Sequence, residues 1–189
     1  LLDAWKRDIP SRTKRALGAL CSLHAKQCGK AQSADANDAA KTLAKGDLVF
    51  VDPPYSGVHY SRFYHVLETI ARGDCGDVSG IGRYPARAER PRSKYSVSTE
   101  SNAALNNLLS TLAERDTTVI LTFPDHECSN GLSGEDVIGL AKKHFSVKRR
   151  AVKSRFSTMG GIGNGNAGSA GRQARHHANE LILLLRTKA

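Results

Sequence analysis

The chain has 189 residues, 40% of them hydrophobic and 24% charged, a balance that suits one globular domain with a real core and excludes disordered or fibrous classes. No apolar run approaches the roughly 20 residues of a membrane span, and no signal-peptide pattern opens the chain, so no membrane partner is expected. Lys and Arg total 28 against 18 Asp and Glu, a formal net charge of +10 that suits a polyanionic partner, above all nucleic acid. Cys21, Cys28, Cys75 and Cys128 form no CxxC pair and no disulfide framework, which points to a reduced, cytoplasmic setting.

In chain order, Ser11 to about Lys26 reads as a basic amphipathic helix entered through Pro10 and a Ser cap. Leu17, Leu20, Cys21, His24 and Cys28 fall on one face of that helix, and no fourth ligand follows at zinc-finger spacing, so no metal is expected. Residues 29–37 read as loop, Asp38–Ala44 as a short helix, and Leu48–Val51 as a strand after Gly46. Phe63, Val66, Leu67 and Ile70 recur at i, i+3, i+4, i+7 and predict a helix with one buried stripe. Residues 73–98 are rich in Gly and Pro and read as a long loop. Leu105, Leu108, Leu109 and Leu112 mark another helix, and residues 117–123 a β-branched strand ending at Pro124. A helix over 134–143 and strands over 146–152 and 180–186 complete the reading.

This alternation predicts an α/β fold whose apolar strands form a sheet covered on both faces. The last two strands are joined without helical periodicity, so they are expected to close the sheet as an antiparallel hairpin of about 146–155 and 180–186. Residues 1–45 form a helical lead-in, and 46–189 the main body, with basic loops at about 73–98 and 156–179. The first loop carries Arg83, Arg87, Arg90, Arg92 and Lys94; the second carries Arg172 and Arg175. Neither has the apolar content to fix itself, and both are expected to bracket DNA beside the site.

The strand 48–51 runs into Asp52-Pro53-Pro54-Tyr55. Ligands in an open α/β sheet bind beyond the carboxyl ends of the strands. Two prolines stiffen such a turn, a carboxylate beside a carbonyl offers two acceptors to an NH₂ group, and a tyrosine offers a face for stacking. Together they describe a pocket that grips an aromatic amine by its edge and its face. Tyr60 and Tyr64 are either pocket or core; Asp125, His126 and Asn130, in a second strand-end turn, are either pocket or turn chemistry.

Placed after a strand, "DPPY" resembles the catalytic motif of the S-adenosylmethionine-dependent amino-methyltransferases, in particular the DNA adenine-N6 methyltransferases. "HYSRFYHVLETIA" is similar to the helix that follows that motif, Asp35 in "SADA" to the acid that approaches the cofactor's adenosine, and "RFSTMGG…NELILLL" to the closing hairpin. The resemblance implies part of a Rossmann-like methyltransferase sheet with a closing antiparallel C-terminal hairpin. It implies Asp52, Pro53, Pro54 and Tyr55 as catalytic residues, and Asp35, Asp52 and Tyr60 as contacts for S-adenosylmethionine. The substrate implied is a flipped adenine in double-stranded DNA. The carboxylate at position 52 favours adenine over the substrates of an "NPPY" motif. A non-catalytic nucleic-acid-binding fragment, or methylation of RNA or protein, is the alternative. No strand followed by Phe-x-Gly-x-Gly precedes the motif, and the glycines of 156–171 open no helix. The chain is therefore expected to be a fragment lacking the glycine-rich cofactor turn, completed by an amino-terminal half or a second chain.

Overall fold

The computed structural model describes residues 8–81, 84–154 and 178–188. The chain divides into two units, one ending at Ala34 and the other starting at Asp35. In the first, helix α1 (Ile9–Cys21) buries none of its residues. Pro10 sits in its first turn as expected, but the residue before the helix is Asp8, and Ser11 lies inside it rather than capping it. The helix also stops earlier than expected. Ser22 Oγ donates to the Ala19 carbonyl at 2.7 Å, a local bond of the kind that competes with helix continuation. His24 and Cys28 thus lie beyond the helix and share no face with Cys21.

The second unit opens with α2 (Ala36–Ala40), which starts before the expected Asp38 because Asp35 caps it. One carboxylate oxygen of Asp35 accepts from the amides of Asn37 (2.9 Å) and Asp38 (3.4 Å). Then come β1 (Leu48–Val51), α3 (Ser61–Arg72), the two-residue strands β2 (Val78–Ser79) and β3 (Tyr84–Pro85), and 3-10 turns at Arg87–Glu89 and Lys94–Ser96. The rest is α4 (Ser101–Glu114), β4 (Thr118–Pro124), α5 (Gly134–His144), β5 (Phe145–Ser154) and β6 (Ala178–Thr187). Among the described residues no helix is long and apolar enough to cross a membrane.

The main sheet has the order β1-β4-β6-β5. β1 and β4 are parallel, with Val51 beside Leu121, while β6 runs antiparallel to both β4 and β5. The expected hairpin is present and longer than anticipated, pairing from Phe145 with Thr187 to Ser154 with Ala178. The α/β architecture is thus a mixed sheet with a parallel pair and an antiparallel C-terminal pair.

Side chains alternate across a sheet, so each strand divides between two faces. One face carries Val51, Val119, Leu121, Phe123, Leu181, Leu183 and Leu185, all buried in one core with Leu105, Leu108, Leu109 and Leu112 of α4 and Val137, Ile138 and Leu140 of α5. Each such side chain contributes roughly 1.5–3 kcal/mol by leaving water. A capping box fixes the start of α5: Ser133 Oγ accepts from the Asp136 amide, and the Asp136 carboxylate accepts from the Ser133 amide.

The other face differs from expectation. Leu48 and Phe50 are 68% and 65% exposed, and Ile120, Thr122, Ile182 and Leu184 are half-buried. On α3, Val66, Leu67 and Ile70 are 54%, 59% and 72% exposed, so the predicted stripe forms on a helix but is not buried. Hydrophobic spacing sets the helix; burial needs a partner surface, and among the described residues none covers this stripe or this face.

The 73–98 segment is more ordered than its composition suggested. Arg90 donates through Nε to the Pro85 carbonyl and through Nη2 to Ser79 Oγ, both at 2.7 Å, tying β3 to β2. The Tyr84 ring carries the Arg62 and Arg90 guanidinium groups at 4.8 and 5.5 Å from its centroid, joining this hairpin to α3. Tyr95 and Ser96 are buried. Three well-placed cation and aromatic groups do here what apolar content does elsewhere.

Candidate functional site

Because β1 and β4 are parallel, their carboxyl ends lie side by side. The backbone leaves β1 through buried Val51 into Asp52, which is exposed; Pro53 is buried, and Pro54 and Tyr55 are half-buried. Proline cannot extend the ladder, so the strand stops where the carboxylate emerges. Thr122, near the end of β4, donates from Oγ1 to Asp52 Oδ1 at 3.0 Å. That bond occupies one carboxylate oxygen and fixes the direction of the other.

Two tyrosines lie close enough to this acid to feel its charge. Tyr55 packs against the core, and its phenol is pushed up by burial and by the charges of Glu180 and Asp52. The Tyr60 phenol is pushed up to about 12, chiefly by burial and then by Tyr55, Asp52 and Tyr64. Tyr60 and Tyr64 meet edge to face with centroids 5.5 Å apart. Asp52, Tyr55, Tyr60 and Tyr64 are therefore neighbours, and Tyr60 and Tyr64 are exposed rather than part of the buried core.

Two members of this neighbourhood escaped the sequence reading. By sequence, Thr122 is only one residue of a β-branched strand. Glu180, read only as the opening of the last strand, pairs with Pro124, and its carboxyl is pushed up by burial and by the charges of Asp52 and Asp125. Only the antiparallel return of β6 beside β4 brings Glu180 there, and register across 55 intervening residues has no local signal.

Of the other sequence candidates, Asp125 and Asn130 lie near this turn, and Asp35 lines a different cavity. Asp125 accepts from Asn179 Nδ2 at 2.7 Å, and His126 Nδ1 lies 3.8 Å from Asp125 Oδ1. Asn130 is fully buried and lines no surface. Asp35 lines a cavity of about 550 Å³ with Lys41, Lys94, Tyr95, Thr99 and Glu100, and that lining does not include Asp52, Tyr55 or Tyr60. Burial, then the charge of Asp35, raises the Tyr95 phenol, which donates to Asn37 Oδ1 at 2.6 Å.

Of the basic candidates, Arg90 is held within its hairpin and Arg92 is paired with Glu100. Arg87 opens a 3-10 turn, and Lys94 is exposed at the start of the next. Arg83, Arg172 and Arg175, with the 156–171 glycines, lie outside the described residues. On β5, Lys148, Arg149, Arg150 and Lys153 are exposed, Arg149 standing 3.6 Å from Glu135. Among the described residues no group of three or more His, Cys, Asp or Glu is placed to hold a metal ion.

The family match takes in β1, the Asp52–Tyr55 turn and α3 and stops short of Thr122 and Glu180. The family model of the D12 class N6 adenine-specific DNA methyltransferase matches residues 9–120. Modification methylase StsI of Streptococcus sanguinis is 28% identical over 118 residues, 62% of this chain and 17% of that protein. Type II methyltransferase M.FokI of Planomicrobium okeanokoites is 35% identical over 102 residues, 51% of this chain and 15% of its own length. Type II methyltransferase M.NlaIII of Neisseria lactamica is 42% identical over 62 residues, 33% of this chain and 17% of its own length. The chain spans less than a fifth of these relatives. No solved structure matches it.

Proposed function

This chain belongs to the D12 class of N6 adenine-specific DNA methyltransferases, whose family model covers more than half of it, and on that premise we propose that Asp52, Pro53, Pro54 and Tyr55 hold a flipped adenine for methylation at N6. The observation that carries this reading is the Thr122–Asp52 bond at the end of a parallel strand pair, with tyrosines at its side. The exocyclic amine of adenine is a poor nucleophile because its lone pair is conjugated with the ring. The free oxygen of Asp52 and the Pro53 carbonyl accept hydrogen bonds from its two N–H groups and return electron density to nitrogen, which gives up one of those protons as the N–CH3 bond forms. The Tyr55 face holds the ring in line, so the transfer becomes effectively unimolecular. Because the amine is otherwise paired in the duplex, the base must leave the stack to reach Asp52.

S-adenosylmethionine fits the character of this cluster. Its sulfonium is a cation, and the cluster offers tyrosine rings beside the carboxylates of Asp52, Glu180 and Asp125. When bound, it supplies the methyl group on that sulfonium. Tyr60 and Asp52 would face it, and Asp35, held by the α2 cap, would accept from its adenosine part.

The Rossmann-like sheet is part of the same proposal: β1 and β4 are its parallel strands, and β5–β6 its closing hairpin. The edge of β1 left unpaired among the described residues, exposed Leu48 and Phe50, and the apolar stripe of α3 are the surfaces on which an amino-terminal half of the domain or a second chain completes it. Double-stranded DNA is the substrate partner, held by the basic 83–94 segment and by Arg172 and Arg175, in the cytoplasmic setting that goes with such a reaction. Phosphate contacts of this kind hold DNA without reading its sequence.

Two experiments test the reading. Asp52→Ala should abolish methyl transfer from labelled cofactor to DNA in the completed enzyme, by at least about 100-fold for a group that positions the reacting atom; unimpaired transfer would leave Asp52 without a catalytic role. Neutralising Arg87, Arg90 and Arg92 together should flatten the salt dependence of DNA binding by about one log unit of slope per lost phosphate contact. An unchanged slope makes the 83–94 segment a solvated connection.

A further inference from the structure

Beneath the Asp52–Tyr55 turn lies a buried amide that the proposed chemistry does not use. Asn130 is fully buried, and its side chain bonds to three separate backbone groups. Nδ2 donates to the Pro54 carbonyl at 2.8 Å and to the Tyr95 carbonyl at 3.0 Å. Oδ1 accepts from the Leu132 amide at 3.2 Å. Its own main-chain carbonyl accepts from Ser101 Oγ, also buried, at 2.8 Å. One side chain thus joins the turn after β1, the 3-10 turn before α4 and the turn after β4.

A neighbouring latch acts on the far side of Tyr55. The Gly57 amide donates to Ser129 Oγ at 3.0 Å. A Cβ on Gly57 would stand 2.8 Å from the Ser129 carbonyl oxygen, so the two backbones approach as only glycine allows. Gly131 is in the left-handed region (φ +83°), and a Cβ there would meet Ser98 Cβ at 2.9 Å. The segment 129–131 is therefore pinned at close range to both partners. Tyr55 stands between the two latched residues, Pro54 and Gly57.

We propose that Asn130 is the positioning residue of the Asp52–Tyr55 turn: its amide fixes the Pro54 carbonyl and, with Ser129, sets the direction in which the Tyr55 ring and the Pro53 carbonyl present themselves. Only a neutral group with two N–H donors and an acceptor on one plane satisfies all three partners. An aspartate of the same shape would set an acceptor against the carbonyls of Pro54 and Tyr95, and an alanine would leave both without a donor in the interior. The inference rests on the methylation reading for its functional consequence, but its structural half stands apart from it.

The test uses Asn130→Asp and, at the exposed latch, Ser129→Ala, each read in two ways. Amide hydrogen exchange on this chain should quicken at Gly57 by roughly tenfold or more, the size expected when one hydrogen-bonded latch opens locally, while the Val137 amide of α5 stays at the wild-type rate. In the completed enzyme, kcat for methyl transfer should fall on the order of 100-fold with KM for DNA within about threefold, because a misplaced holder harms alignment more than docking. Unchanged exchange at Gly57 in both folded variants overturns the inference whatever the chemistry proves to be. Faster exchange at Gly57 with an unaltered kcat overturns the positioning role. If Asn130→Asp loosens Val137 as well, the uncharged Asn130→Ser decides by the same two criteria. An unsubstituted enzyme that methylates no DNA would sink the proposed function and leave the exchange result standing.

Discussion

Helices α3 and α4 carry the same sequence signal and meet different fates. Val66, Leu67 and Ile70 repeat at helical spacing, as do Leu105, Leu108, Leu109 and Leu112, and both segments are helical. Yet every one of the α4 leucines is buried, while the α3 side chains stand more than half exposed. The same contrast divides the sheet. One face is sealed by α4 and α5; on the other, Phe50, Ile120, Ile182 and Leu184 have no such cover among the described residues. Asp52, Thr122 and Glu180 share the alternation of that second face, at its carboxyl edge. The covered side holds the unit together, and the uncovered side carries the proposed chemistry.

The largest expected difference follows directly. Leu109→Ala empties a fully buried position in α4 and should cost about 2–5 kcal/mol in urea unfolding of the chain. Leu67→Ala, at a 59% exposed position with the same spacing, should stay within about 0.5 kcal/mol. Equal costs would break the comparison and mean that α3 is packed in solution. A Leu67→Ala cost that appears only when the completing half or chain is supplied would sharpen it, by marking the stripe as the seat of that partner.

A smaller effect is expected at the edge of the uncovered face. Thr122→Val keeps the shape of the side chain and removes the donor to Asp52 Oδ1. An exposed bond of this kind contributes about 1 kcal/mol to stability, so the unfolding midpoint should move little. Methyl transfer should fall by about tenfold, as one such bond to the aligning carboxylate is worth. A large loss of stability with unchanged transfer would place Thr122 with the covered side instead.

What the sequence disclosed follows the same division. α4, β4 and α5 were legible because their burial patterns are local and dense and they pack within this unit; the closing hairpin was legible because no helical periodicity joins its strands. The turn at Asp52 was legible because two prolines and an acid after a strand have few structural explanations. The length of α1 was not, since one serine bonding back to Ala19 outweighs a weak amphipathic pattern. Nor was the exposure of α3, because periodicity reports which side would be buried and not whether anything covers it. Thr122 and Glu180 reach Asp52 only through strand register, and the three partners of Asn130 lie on segments distant in sequence.

The smallest effect concerns Glu180. Its carboxyl is pushed up from the ordinary value of 4.5, by burial first and then by the charges of Asp52 and Asp125. A raised folded-state value means that the folded chain binds more protons than the unfolded chain over the window just above that ordinary value. Stability is then complete below the window and declines as pH rises through it, where the folded chain must carry an unfavourable charge. Glu180→Gln removes that charge with little change of shape. The variant should match the parent in urea at pH well below the window and exceed it well above. The gain should stay within about 1 kcal/mol, since the group is partly solvated and screened, and should shrink with added salt. A variant less stable than the parent at high pH would mean that Glu180 has a cationic partner there. The uncovered edge would then not be the acidic, tyrosine-bearing surface that suits a sulfonium.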